Sequence, residues 1–108
     1  MAVESITPEE LSRRMAEGAP FRLIDVREAW EWELCRLPGA LHRPLSELHY
    51  WQHGLDPGGG PTVIYCHHGI RSHWVCRYLS RAGARGLLNL TGGIDRWAEK
   101  VDPAMARY

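Results

Sequence analysis

The sequence predicts an α/β domain with a mainly parallel central sheet and helices on both faces. Two observations carry this. Residues 62–65 (Thr-Val-Ile-Tyr) are β-branched and aromatic, as expected of a strand flanked on both faces, and 87–90 (Leu-Leu-Asn-Leu) reads as the next strand. Between and after them the apolar spacing changes to that of a helix, and strands alternating with helices imply βα units.

Each element has its own signal. Thr7-Pro8-Glu9-Glu10 reads as a helix start, with Thr7 as cap, Pro8 in the first turn and Glu10 closing a capping box. Leu11 and Met15 lie one turn apart on a common face, and Gly18 is the expected stop. Residues 21–26 (Phe-Arg-Leu-Ile-Asp-Val) form a β-prone run, followed by a helical or irregular stretch to Leu34 that Pro38-Gly39 breaks. Residues 44–51 suit another short helix, and the Pro/Gly-rich segment 56–61 a loop. Trp74, Val75, Tyr78, Leu79 and Ala82 recur at helical spacing over 71–82, and Gly83 ends the run. Gly92-Gly93 then leads into a helix carrying Ile94 and Trp97.

Composition narrows the function classes. At 108 residues, 1–108 is expected to be one domain, and its 44 % apolar content supplies a core without disulfides or metal. Thirteen basic and thirteen acidic residues cancel, so no bulk field recruits nucleic acid or a membrane. Three cysteines (35, 66 and 76) without paired spacing suit a reducing compartment. The first ten residues lack the basic start and apolar run of a signal peptide, and no apolar stretch approaches the ~20 residues of a membrane span. A soluble cytoplasmic protein is expected.

The chemistry concentrates at residues 66–72, Cys-His-His-Gly-Ile-Arg-Ser. A cysteine ending a strand and followed by a helix start lies under several backbone N–H groups that point one way, an anion nest. Gly69 lets the loop take backbone angles that other residues resist. Arg71, with His67 or His68, adds positive charge, and residues 57–94 contain no Asp or Glu. Together these features favour a reactive Cys66 thiolate. Arg77, Arg81 and Arg85 read as solvated helix-face charges. Two chemistries use a cysteine cradled this way. Cysteine-dependent phosphatases place five residues between Cys and Arg, whereas here only His67, His68, Gly69 and Ile70 intervene. The smaller ring suits one added sulfur rather than phosphate.

The motif Cys-x-x-Gly-x-Arg-Ser, with Leu79 and Gly83 downstream, resembles the active loop and following helix of single-domain rhodaneses. Asp25-Val26-Arg27, Glu31-Trp32, Leu37-Pro38-Gly39-Ala40 and Pro44 resemble the N-terminal signature of that family, and residues 90–97 (Leu-Thr-Gly-Gly-Ile-Asp-Arg-Trp) its C-terminal one. Cys35-Arg36 stands where Gly-His usually precedes the Leu-Pro-Gly-Ala motif, and Trp74-Val75 replaces smaller residues. The resemblance implies a rhodanese-like fold and a sulfurtransferase that holds sulfur as a persulfide on Cys66. A small anionic donor such as thiosulfate would supply the sulfur, and cyanide, a thiol or a protein acceptor would take it. N–H groups of residues 67–71 would stabilise the persulfide anion, with Arg71 bracing the loop or reading the anion. No cofactor is implied. A non-catalytic module of the same family, or a carrier serving one partner, are the alternatives.

Other residues read more plainly. Asp25 and Arg27, at another strand's end, either line the mouth of the site or form a structural ion pair. His67 and His68, taken with Cys66 or His73, match no familiar tetrahedral zinc spacing, so no metal is expected. His42, His49 and His53 read as surface residues, the five tryptophans as core or pocket rim, and Cys76 as a small packed side chain.

Overall fold

Every residue of the run 62–65 is buried, which places it at the centre of the sheet. In the computed structural model, which describes residues 2–55 and 60–108, the elements run β1 (Ser5–Ile6), α1 (Pro8–Ala16), β2 (Arg22–Asp25), α2 (Ala29–Leu34), β3 (Leu41–His42), α3 (Leu48–Trp51), β4 (Thr62–Tyr65), α4 (Ile70–Arg81), β5 (Leu87–Leu90) and α5 (Gly93–Lys100). The sheet order is β1-β5-β4-β2-β3, and every pairing is parallel. Register sets Asp25 beside Tyr65 and Thr62 beside Leu87, so the carboxyl ends of β2, β4 and β5 lie together.

Side chains leave a strand alternately to its two faces, and the core divides accordingly. Leu23, Val63 and Tyr65 pack with Leu11 of α1 and with Ile94 and Trp97 of α5 on one face. Ile24, Val26, Ile64 and Cys66 pack with Leu48 of α3 and with Val75, Cys76 and Leu79 of α4 on the other. The expected α/β fold with helices on both faces is therefore the fold observed. None of the described helices is long and apolar enough to cross a membrane.

Several local expectations change. Thr7 Oγ1 accepts from the Glu10 N–H at 3.2 Å, but the Glu10 carboxylate pairs with Arg13 and Arg14. The helix start thus rests on the Thr7 hydroxyl. Segment 44–51 is a 3-10 turn, Leu45–Glu47, followed by one turn of α-helix. The apolar stripe of α4 splits: Val75 and Leu79 are buried, while Trp74 and Tyr78 stack on each other in solvent with ring centroids 5.3 Å apart. β1 and β3 are two-residue edge strands, too short for a run of their own in the sequence. The expected loop at 56–61 falls mostly outside the described residues, at 56–59. Cys35 in place of glycine leaves its turn unstrained, because φ is −164° there, extended backbone that any residue adopts. Arg36 lays its guanidinium over the Trp32 ring at 4.5 Å.

Candidate active site

Cys66 follows the last residue of the central strand β4, where the strand order of a doubly covered sheet places ligand sites. It is 1 % exposed, at the base of the loop 66–72. Gly69 has φ +99°, a left-handed conformation that turns the chain from strand into α4. This turn points donors back at the sulfur: the Gly69 N–H lies 3.1 Å and the Ser72 N–H 3.4 Å from Cys66 Sγ. The sulfur stands where a side-chain oxygen would cap the helix.

A third polar group completes the cradle. Ser72 Oγ lies 3.3 Å from Cys66 Sγ and is hydrogen-bonded to Asn89 Oδ1 on β5. Asn89 Nδ2 donates to the Gly69 carbonyl at 3.1 Å, which turns Oδ1 toward Ser72. With a thiol, the serine hydroxyl donates to Asn89 and accepts from S–H. With an anionic sulfur, the same hydroxyl turns its proton to Sγ. Buried Ser72 and Asn89 therefore answer either protonation state without leaving the sulfur unpartnered.

Arg71 makes its hydrogen bonds to Glu31 and none to the sulfur among the described residues. Its two terminal nitrogens donate to Glu31 Oε1 and Oε2 at 2.7 and 2.8 Å, a bidentate pair. Glu31 also accepts from the Glu28 N–H at 3.0 Å and the Tyr108 hydroxyl at 2.6 Å, so both oxygens are doubly engaged. Burial alone would raise the Glu31 carboxyl, but donors from Arg71, Tyr108 and Glu28 outweigh it and hold the group at about 2. The Glu31 bond raises Arg71 further above the ordinary arginine value. The stretch 57–94 is acid-free in sequence but not in space, because α2 delivers Glu31 to it. Of the two roles expected for Arg71, bracing the loop is the one its contacts support.

Asp25 and Arg27 are fully buried and paired, with Arg27 Nη2 to Asp25 Oδ2 at 2.7 Å. Neither lines the mouth of the site, which corrects that expectation. Arg27 also donates to the Glu31 and Cys35 carbonyls, at the negative end of α2, and to the Tyr108 hydroxyl at 2.9 Å. Its role is to fix α2, and hence Glu31, from beneath. His42 is also no plain surface residue: it is half-buried, stacks on Trp32 at 4.9 Å and bonds the Arg27 carbonyl at 2.7 Å.

His67 lies half-buried between the Tyr108 and His68 rings, each centroid 3.8 Å away. Burial, with the neighbouring His68, pushes its pKa below the usual histidine value. His68 and Ile70 are exposed beside a groove that Gly69, His73, Asn89 and Thr91 also line. Cys76 is buried, and burial pushes its thiol up to about 12, which suits a packing role and not a second nucleophile. The sequence reading passed over Glu31, Ser72, Asn89 and Tyr108 as site residues. Asn89 had a signal, as the only asparagine of the chain and polar within an apolar strand.

Known proteins resemble this chain in sequence and in fold. The model of the family "Rhodanese-like domain" matches residues 7–100. The sulfurtransferase of Allochromatium vinosum is 36 % identical over 104 residues, covering 96 % of this chain and 96 % of that protein. The probable adenylyltransferase/sulfurtransferase MoeZ of Mycobacterium tuberculosis is 35 % identical over 106 residues, but this chain spans only 27 % of its length. The crystal structure of a rhodanese-like domain protein from Staphylococcus aureus superposes with a TM-score of 0.82 at 26 % identity, covering 98 % of this chain and 99 % of that one. With the family match spanning nearly the whole chain and the cysteine at the head of α4, this chain belongs to the rhodanese-like domain family.

Proposed function

We propose that the chain, acting as one domain, transfers sulfane sulfur in the manner of a thiosulfate sulfurtransferase, with Cys66 as the carrier. The thiolate attacks the outer sulfur of thiosulfate or a similar anion. The donor's S–S bond breaks, sulfite leaves with its electron pair, and Cys66 holds a persulfide with its charge on the outer sulfur. Cyanide or a thiol then attacks that sulfur and Cys66 leaves as thiolate, so no external oxidant or reductant is consumed. One observation carries the proposal: the Gly69 and Ser72 N–H groups and the Ser72 hydroxyl converge on Cys66 Sγ within 3.1–3.4 Å. Preorganised donors of this kind stabilise charge where it develops. In this proposal His67, His68 and Ile70 shape the mouth and select the donor. Arg71 acts by holding the loop, and Asp25 and Arg27 act by holding Glu31.

A protein acceptor is favoured by a second observation. Ile70 is 79 % and Trp74 51 % exposed on the first turns of α4, the helix that the cysteine loop leads into. The three free cysteines suit a reducing, cytoplasmic setting. The phosphatase alternative is disfavoured because the Arg71 guanidinium is committed to Glu31. The test is Cys66→Ser beside Cys66→Ala, assayed for thiocyanate from thiosulfate and cyanide alongside a thermal melt. Both variants should melt near the wild type and form no thiocyanate. Wild-type rates in either would remove Cys66 from the role.

A further inference from the structure

The paired histidines at 67–68 have no place in the sulfur cradle, and their spacing to Cys66 or His73 gives no metal set. The fold supplies what the spacing lacks. Gly93 begins α5 directly above the loop, where a Cβ would stand 2.4 Å from the His67 carbonyl oxygen and 2.5 Å from that of Cys66. Without one, the Ile94 N–H donates to the Cys66 carbonyl at 2.9 Å and the Asp95 N–H to the His67 carbonyl at 3.0 Å. The first turn of α5 is thereby stapled to the loop, and the Asp95 side chain is carried to the two histidines.

Three features of this corner point to a ligand. One ligand atom from each of His67, His68 and Asp95 lies within 4.8 Å of the others. Nε2 of His67 is buried and has no hydrogen-bond partner among the described residues. Asp95 Oδ2 stands 3.9 Å from His68 Nε2, too far for a hydrogen bond, while Arg107 holds the other oxygen, Oδ1, at 3.0 and 3.1 Å. Metal–ligand bonds of about 2.0–2.2 Å would set tetrahedral ligands roughly 3.4 Å apart. Rotation of the exposed His68 side chain can shorten its own 3.9 Å approach to Asp95.

We propose that His67, His68 and Asp95 form a site for a divalent transition cation, zinc by preference, on the rim of the Cys66 loop. Two imidazoles and one carboxylate match zinc chemistry and not that of magnesium or calcium, which take all-oxygen sets. Three protein ligands leave a position for water or for an anionic oxygen. Arg107, gripping Asp95 from outside, fixes the orientation of the carboxylate. The zinc site does not use the nucleophile, because none of its ligands is Cys66.

The test is zinc binding to the untagged full chain, by equilibrium dialysis, in wild type and in Cys66→Ser, His68→Ala and Asp95→Asn variants. Cobalt serves as the optical probe. One zinc per chain is expected in wild type and Cys66→Ser, with cobalt spectra free of sulfur-to-metal charge-transfer bands. His68→Ala alters an exposed side chain and Asp95→Asn keeps its shape, so both should fold. Each should weaken zinc by about a hundredfold or more, beyond the 10–100-fold usual for outer partners. The proposal falls if wild type binds no zinc, or if binding survives either ligand substitution. It also falls if binding is lost in Cys66→Ser, which would put the metal on the cysteine.

Discussion

Replacing Glu31 by glutamine tests whether the Arg71 brace holds the loop. The substitution keeps the shape of the side chain but removes the charge that Arg71 grips. The carboxyl is held at about 2 against an ordinary 4.5, and a group so placed contributes roughly 3 kcal/mol to folding near neutral pH. Its side chain is only 4 % exposed, so solvent screening discounts this little. Because the folded value is depressed, that stability is fully present above the unfolded value of 4.5. It is lost as pH falls through about 2. Urea unfolding should therefore show Glu31→Gln less stable than wild type by about 2–3 kcal/mol near pH 7. Between pH 7 and about pH 3 that contribution falls by about 2 kcal/mol, so the gap should shrink to about 1 kcal/mol or less. An unchanged gap across that range, or no gap at neutral pH, would refute the ion pair as the source of stability.

Two further substitutions probe the cradle. Ser72→Ala removes one donor to the sulfur and orphans Asn89 Oδ1, so it should cost about 1–3 kcal/mol in unfolding and up to a hundredfold in turnover. Full turnover would exclude the hydroxyl from the reaction. Inserting one glycine between Gly69 and Ile70 widens the ring to phosphatase length and should slow sulfur transfer at least a hundredfold. Phosphate or vanadate binding should rise in that variant. The wild type should hydrolyse aryl phosphates no faster than Cys66→Ser, and robust Cys66-dependent hydrolysis would favour the phosphatase alternative.

Much of the fold was legible because its signals are local. Residues 62–65 and 87–90 announce buried strands by composition, and Gly69 and Gly83 bracket α4 by conformational need. The cysteine at a strand's end, ahead of a helix, likewise belongs to one short segment. What stayed hidden depends on distant segments meeting. Glu31 reaches Arg71 across 40 residues, and Tyr108 reaches Glu31 across 77, with no periodicity linking them. Asp25 and Arg27 were visible as a charged pair at a strand's end. Their depth was not, because full burial of an arginine depends on the α2 carbonyls and Tyr108 that surround it. The edge strands β1 and β3 owe their existence to their neighbours, Ser5 and Ile6 to β5 and Leu41 and His42 to β2.

Mass spectrometry of the reduced protein after brief exposure to thiosulfate bears most directly on Cys66 as the sulfur carrier. The intact chain should gain the mass of one sulfur, located by peptide mapping to Cys66 and absent from Cys35 and Cys76. Cyanide should then remove it with stoichiometric release of thiocyanate. An unchanged mass with no thiocyanate formed, or sulfur carried on Cys35 or Cys76, would contradict the proposed mechanism.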